Sequence, residues 1–212
     1  MLATRLRTAL PSLRPRICAI RNYTSSRDPS HPHLYYHHVQ TSPPLLGLSF
    51  LPDVPPKGAA SRTILGFLPV GEDVGLNDFR DNPPFRQLLH EAIKSGLSSG
   101  AGATVETEAL TRGSDGYMHI GGTASLFCPP VHVADVAIPV WSLDARNPPP
   151  SGRIPEPDDI IGSVYVQGGK IMPETYEPQP MYRICTQDGV CVLPYGLDEH
   201  VLKVLKEVAE NE

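Results

Sequence analysis

The chain has 212 residues, about a fifth of them proline or glycine, with 18 basic and 23 acidic side chains. Length suits one domain with a single core, and the Pro/Gly share falls short of outright disorder. No stretch approaches the ~18 uninterrupted apolar residues a membrane span needs. The basic residues are also unevenly placed. Five of them, Arg5, Arg7, Arg14, Arg16 and Arg21, fall within residues 1–23, and no acid precedes Asp28.

Residues 1–23 therefore have the Arg-rich, Ser/Thr-bearing, acid-poor composition of a mitochondrial presequence. Leu2, Leu6, Leu10 and Leu13 would form one apolar stripe on a short helix that Pro11 and Pro15 limit. Arg21-Asn22-Tyr23 before Thr24-Ser25-Ser26 resembles a processing site with arginine two residues ahead of the first cut. Trimming of Tyr23 would leave a mature chain starting at Thr24. Ile17-Cys18-Ala19-Ile20 is too short for a secretory h-region, so the mitochondrial matrix is the expected location. Without the leader the chain holds 13 basic and 23 acidic residues, a net charge of −10. Such acidity disfavours nucleic-acid binding driven by backbone phosphates.

Residues 24–44, rich in Ser, Pro and His, read as a flexible linker before a single globular domain over residues 45–212. Residues 46–51 and 62–68 are short strand candidates, each followed by proline. Asn82 with Pro83 opens a helix whose Phe85, Leu88, Leu89, Ala92 and Ile93 share one face, with Gly96 as its left-handed stop. A flexible Gly/Ser run to Ala103 follows, then strand candidates at residues 104–107, 117–120 and 131–138. Five prolines in residues 147–157 predict an extended crossing.

The last third reads most clearly. Residues 160–166 and 170–172 predict a hairpin across Gly168-Gly169, and residues 182–186 and 190–193 a second across Asp188-Gly189. Leu197, Val201, Val204, Leu205 and Val208 then share a helical face. The fold class is α+β: two amphipathic helices packed on a mostly antiparallel sheet of short strands and hairpins, loop-rich.

Several groups invite chemistry. Gly96-Leu97-Ser98-Ser99-Gly100 has GxSxG spacing, but a helix enters where a nucleophile elbow needs a strand. His31, His33, His37 and His38 form the densest set of metal-type ligands, with no nearby carboxylate or thiolate to complete a tetrahedron. Cys128 with His119 and His132 is the arrangement nearest to a thiol catalyst, yet Phe127-Cys128-Pro129-Pro130 lacks what lowers a thiol pKa. Cys185 and Cys191 flank Asp188-Gly189: a two-residue loop places them on opposite faces, and a three-residue loop from Gln187 would make them face each other. Glu156, Asp158 and Asp159 beside Arg153 are ordinary loop carboxylates or a hard-cation cluster. Residues 176–182 read as a connection between hairpins or as an edge that a partner covers.

The stretch from Arg153 to Val164, Tyr182-Arg183 and Asp188-Gly189 resembles an uncharacterised group of mitochondrially targeted fungal proteins. That resemblance covers the last third of the chain, implies a mitochondrial location, and supplies no catalytic residues. No cofactor fingerprint is present, since neither GxGxxG nor GxxxxGK[ST] occurs at a strand-to-helix junction. The expected role is a non-enzymatic matrix protein, an accessory or assembly factor that binds other mitochondrial proteins. A small hydrolase or thiol-redox enzyme is the alternative, and mitoribosome association a second.

Overall fold

The computed structural model describes residues 25–71, 74–121 and 156–212. The leader with Arg21, Asn22 and Tyr23, the expected strand at residues 131–138, and Cys128, His132 and Arg153 lie outside them. The described residues form an α+β fold with mostly antiparallel sheets and three helices. Five strands follow one another as a meander: β1 (Ser25–Arg27), β2 (Tyr35–Val39), β3 (Leu45–Ser49), β4 (Ile64–Pro69) and β5 (Arg80–Asp81). A second sheet orders β6 (Gly116–Gly121), β7 (Ile160–Gln167) and β8 (Lys170–Pro178). The helices are α1 (Pro83–Ser98), α2 (Ala103–Thr111) and α3 (Leu197–Asn211).

The segment expected as a linker instead supplies two strands. β2 pairs along its whole length with β3, and Leu34, His37 and Val39 are buried. Polar composition concealed this strand because its central residue is a histidine. His37 lies opposite Gly47, and its Nε2 donates to the Leu51 carbonyl at 3.0 Å. Gly47 is itself closely packed: a Cβ there would stand 3.2 Å from Val39 Cγ2 and 3.3 Å from Ile64 Cδ1.

α1 buries Phe85, Leu88, Leu89, Ala92, Ile93 and Leu97, and packs on α3, β8 and β4. Asn82 occupies the position before it, but its side chain does not cap. Pro83 and Pro84 have no amide hydrogens to satisfy, and Asn82 Nδ2 turns back to the carbonyls of Ser61 (3.0 Å) and Ile64 (2.7 Å). Nor does Gly96 stop the helix. A Cβ on it would come 2.8 Å from Leu197 Cδ2, so its bareness lets α3 approach. The stop is Gly100 at φ +70°, with the Ala101 amide bonded to the Gly96 carbonyl at 2.9 Å and Gly100 to Leu97 at 3.4 Å, a Schellman turn.

Residues 104–107, expected as a strand, belong to α2. Val105 and Ala109 share its buried side, and Thr107 and Thr111 return their hydroxyls to the carbonyls of Ala103 and Glu108. The β7–β8 hairpin forms across Gly168 and Gly169, both at positive φ as the tight turn demands. β8 runs on to Pro178, so Tyr176 is buried in the sheet rather than in a connection; Tyr182 beyond it is buried too.

The second hairpin shrinks to β9 (Cys185–Thr186) and β10 (Gly189–Val190), with Gln187 and Asp188 at the turn. Val190 opposes Cys185, and the Cys191 amide bonds to the Ile184 carbonyl at 2.8 Å. Neither expected register occurs, because Gly189 at φ +113° starts the returning strand instead of sitting within the turn. The two thiols lie on opposite faces and form no disulfide.

Candidate functional site

The N-terminal histidines, the C-terminal hairpin and the start of α3 meet in one place. His31, Pro32, His33, Phe50, Cys191, Leu193, Asp198 and Leu202 line a cavity of about 30 Å³. The His31 ring stacks on Phe50 at 5.7 Å with 7° between planes. Its Nδ1 accepts the His33 amide at 3.2 Å and its Nε2 donates to the Cys191 carbonyl at 3.2 Å, which fixes the neutral Nε2–H tautomer. His33 Nε2 approaches Asp198 Oδ2 at 3.8 Å, while Asp198 Oδ1 accepts the amides of Gly196 and Glu199 at 2.9 and 2.8 Å.

The arrangement thus joins His31, His33 and Cys191 without making a catalyst of them. Both His31 nitrogens are engaged with backbone, Cys191 is 1 % exposed within the core, and the cavity admits about one water. His37 faces Leu51, and His38 is exposed on the other face of β2, so the four histidines do not converge. Among the described residues no three His, Cys, Asp or Glu side chains are placed to hold a metal ion. The contacts instead tie residues 31–33 to residues 191–202.

Two serine–histidine contacts escaped sequence reasoning because their members are far apart in the chain. Ser95 Oγ lies 2.9 Å from His200 Nε2, across the α1–α3 packing. Ser95 has one hydroxyl proton and donates it to the Ala92 carbonyl at 2.9 Å, so His200 must donate to Ser95 and cannot be its base. His119 Nδ1 lies 2.8 Å from Ser163 Oγ, its neighbour across the β6–β7 ladder, and the contact is exposed. Ser98, the GxSxG serine, donates to the Lys94 carbonyl at 2.9 Å within α1.

His90 and Tyr176 form a perturbed pair, with Nδ1 and Oη 2.8 Å apart. Burial, with Arg86 beside it, lowers the His90 pKa, and burial raises that of Tyr176. Both shifts keep the pair neutral, the phenol donating to Nδ1. Beside it a cleft of about 390 Å³ is lined by Asp81, Pro83, Arg86, Gln87 and His90. Arg86 is ion-paired with Asp81 there, so the cleft offers an acid and a base already matched to each other. Of the loop carboxylates, Asp159 is buried, and the Asp158 carbonyl accepts the Arg183 amide at 3.0 Å.

A different kind of site lies where α2 meets the β7–β8 turn. Leu97, Glu106, Leu110, Gly169, Lys170 and Ile171 line a groove of about 240 Å³. Leu110 is 70 % exposed above it, and Gly169 brings the turn beneath: a Cβ there would stand 3.5 Å from Leu110 Cδ2. No protein-family model, curated protein or solved structure matches the chain.

Proposed function

We propose that this chain is a mitochondrial matrix protein that works by binding other matrix proteins, as an accessory or assembly factor without a reaction of its own. The observation that carries the reading is the groove under Leu110. Its lining mixes apolar Leu97, Leu110 and Ile171 with one anion, Glu106, and one cation, Lys170. A large aliphatic side chain left 70 % exposed beside such a groove suits insertion of a partner's apolar side chain with polar contacts around it. The arginine-studded leader supports the compartment, and the resemblance of the last third to mitochondrially targeted fungal proteins agrees with it.

No helix among the described residues is long and apolar enough to cross a membrane. The hydrolase and thiol-redox alternatives are weakened by Ser95, whose proton points away from His200, and by Cys191, whose setting is core. Mitoribosome binding through RNA is weakened by the net charge of −10 that remains after the leader. The test is size-resolved purification from mitochondria with mass spectrometry of what co-elutes. A stoichiometric partner supports the reading; a partner-free monomer argues against it.

A further inference from the structure

The bond expected to be cut at the end of the leader, Asn22–Tyr23, lies only two residues ahead of β1. Ser25, Ser26 and Arg27 of β1 stand opposite His37, Tyr36 and Tyr35 of β2. A peptidase draws its substrate through the cleft as an extended chain, so it cuts only what has come away from the fold, and a terminal strand tied into a sheet is withdrawn from it. Fully extended, Tyr23 and Thr24 span about 7 Å. That reach is too short to carry the bond into an enclosed cleft while Ser25 stays paired.

Side chains hold β1 as well as the ladder does. Asp28 closes the turn that follows it: its Oδ1 accepts the Ser30 amide at 2.7 Å and the Ser30 hydroxyl at 2.6 Å, and its Oδ2 accepts the Tyr36 phenol at 2.6 Å. Those bonds keep the carboxyl at about 2, so it is ionised and accepts all three at neutral pH. Tyr36 packs against the core, and the Asp28 amide donates to the carbonyl of the buried Leu34 at 2.9 Å. The strand itself is fastened at both ends. Ser25 Oγ donates to the Pro52 carbonyl at 3.2 Å, and the Arg27 guanidinium to the Pro32 carbonyl at 3.1 Å.

We propose that β1 sets the order of maturation: the Asn22–Tyr23 bond is hydrolysed while the chain is unfolded, and docking of β1 on β2 then closes that bond to the peptidase. In the cut one water adds across the amide, leaving a carboxylate on Asn22 and an amine on Tyr23. A chain that folds before it is cut keeps its leader. The inference rests on the reading of residues 1–23 as a presequence and goes beyond it by tying leader removal to the state of the fold. Cutting of the folded chain tracks the fraction of molecules in which β1 has come away, so every bond that fastens β1 slows it.

The test incubates full-length chains with the purified presequence-cleaving endopeptidase of the matrix, follows the cut by intact mass and identifies the new end by N-terminal sequencing. Leu89→Asp puts a carboxylate at a fully buried position of α1 and keeps the chain unfolded, which circular dichroism verifies. It should be cut at Asn22–Tyr23, and the folded wild type about a hundredfold more slowly or less. Asp28→Ala, folded by the same measure, removes the acceptor of three hydrogen bonds and should be cut about tenfold faster than the wild type. Tyr36→Phe loses one of the three and should fall between them; it takes the place of Asp28→Ala if that variant does not fold. A wild type cut as fast as Leu89→Asp overturns the proposal and leaves the presequence reading standing. A Leu89→Asp chain that stays whole overturns the presequence reading and the proposal with it. Folded variants cut no faster than the wild type overturn the hold on β1 from which the proposal is argued.

Discussion

Glu212 is bound by residues 151 and 150 positions before it: its carboxylate accepts the Ser61 hydroxyl and, at 2.9 Å, the Arg62 amide. Ser61 is 1 % exposed and also shares a 2.8 Å hydroxyl contact with Thr63, which is fully buried. The last turn of α3 is thereby fastened to the entry of β4. Glu212→Ala removes an acceptor from a buried hydroxyl and an amide, and should cost about 1–2 kcal/mol. Urea unfolding should show a lower midpoint with an unchanged slope, whereas Glu210→Ala, exposed on the same turn, should leave the midpoint in place.

Gly162 and Tyr176 show how closely β7 and β8 are fitted. A Cβ on Gly162 would stand 2.6 Å from Tyr176 Cε2 and 2.8 Å from the Glu177 carbonyl oxygen, and the carbonyl is part of the backbone and cannot yield. Gly162→Ala should therefore destabilise by about 3 kcal/mol, at the upper end for overpacking. Gly168→Ala is the comparison: at φ +56° with nothing within 4 Å, it meets only backbone strain of about 1 kcal/mol. Equal losses in thermal unfolding would contradict this account of the contact.

What could be read from the residues was what local periodicity encodes. The β7–β8 hairpin, α3 and the apolar face of α1 follow from spacings within a dozen residues, and all three are present. The errors arose where a distant contact overruled a local signal. His37 is buried with its Nε2 bonded to the distant Leu51 carbonyl, Gly96 stays helical because Leu197 packs on it, and Asn82 turns from capping to the Ser61 and Ile64 carbonyls. Thr104, Val105 and Thr107 carry β-branched side chains, yet Thr104 Oγ1 binds the Tyr195 carbonyl and Val105 reaches the core from a helix.

Functional geometry was the least legible part for the same reason. His31 and Cys191 are 160 residues apart, Ser95 and His200 are 105 apart, and no motif of fixed spacing links either pair. The groove under Leu110 leaves a trace only as one aliphatic residue outside the buried stripe of α2, a signal that any exposed leucine would give.

Leu110 offers a direct test of the binding groove. Because the side chain is 70 % exposed and its position is on a helix, Leu110→Asp should shift stability by less than about 0.5 kcal/mol. Placing a carboxylate over Leu97 and Ile171 and beside Glu106 should nevertheless abolish co-purification of the partner. Partner capture that survives this variant would move the interface elsewhere on the molecule.

Two histidines, the buried His37 and the half-buried His90, set the response to acid. Burial lowers the pKa of His37 and, with Arg86 nearby, that of His90. In the unfolded chain both titrate near their ordinary value of about 6.5. Below that pH the unfolded state binds protons that the native state refuses, so stability is fully present above about pH 6.5 and declines as the pH falls toward the lowered native values. Asp28 does not contribute in this window. Hydrogen bonds from Ser30 and Tyr36 hold its carboxyl at about 2, so its share is lost only at far lower pH. The tyrosines act at the other end: burial raises Tyr176, and burial with the Asp28 bond raises Tyr36, so stability should fall again above about pH 10. Urea midpoints measured from pH 7 to pH 5 should drop in the wild type and drop less in His90→Gln, which retains polarity beside Tyr176 without a titrating ring. A slope unchanged by this variant would mean that His90 takes up its proton over the same pH range in the native and unfolded chains, against the burial that lowers it.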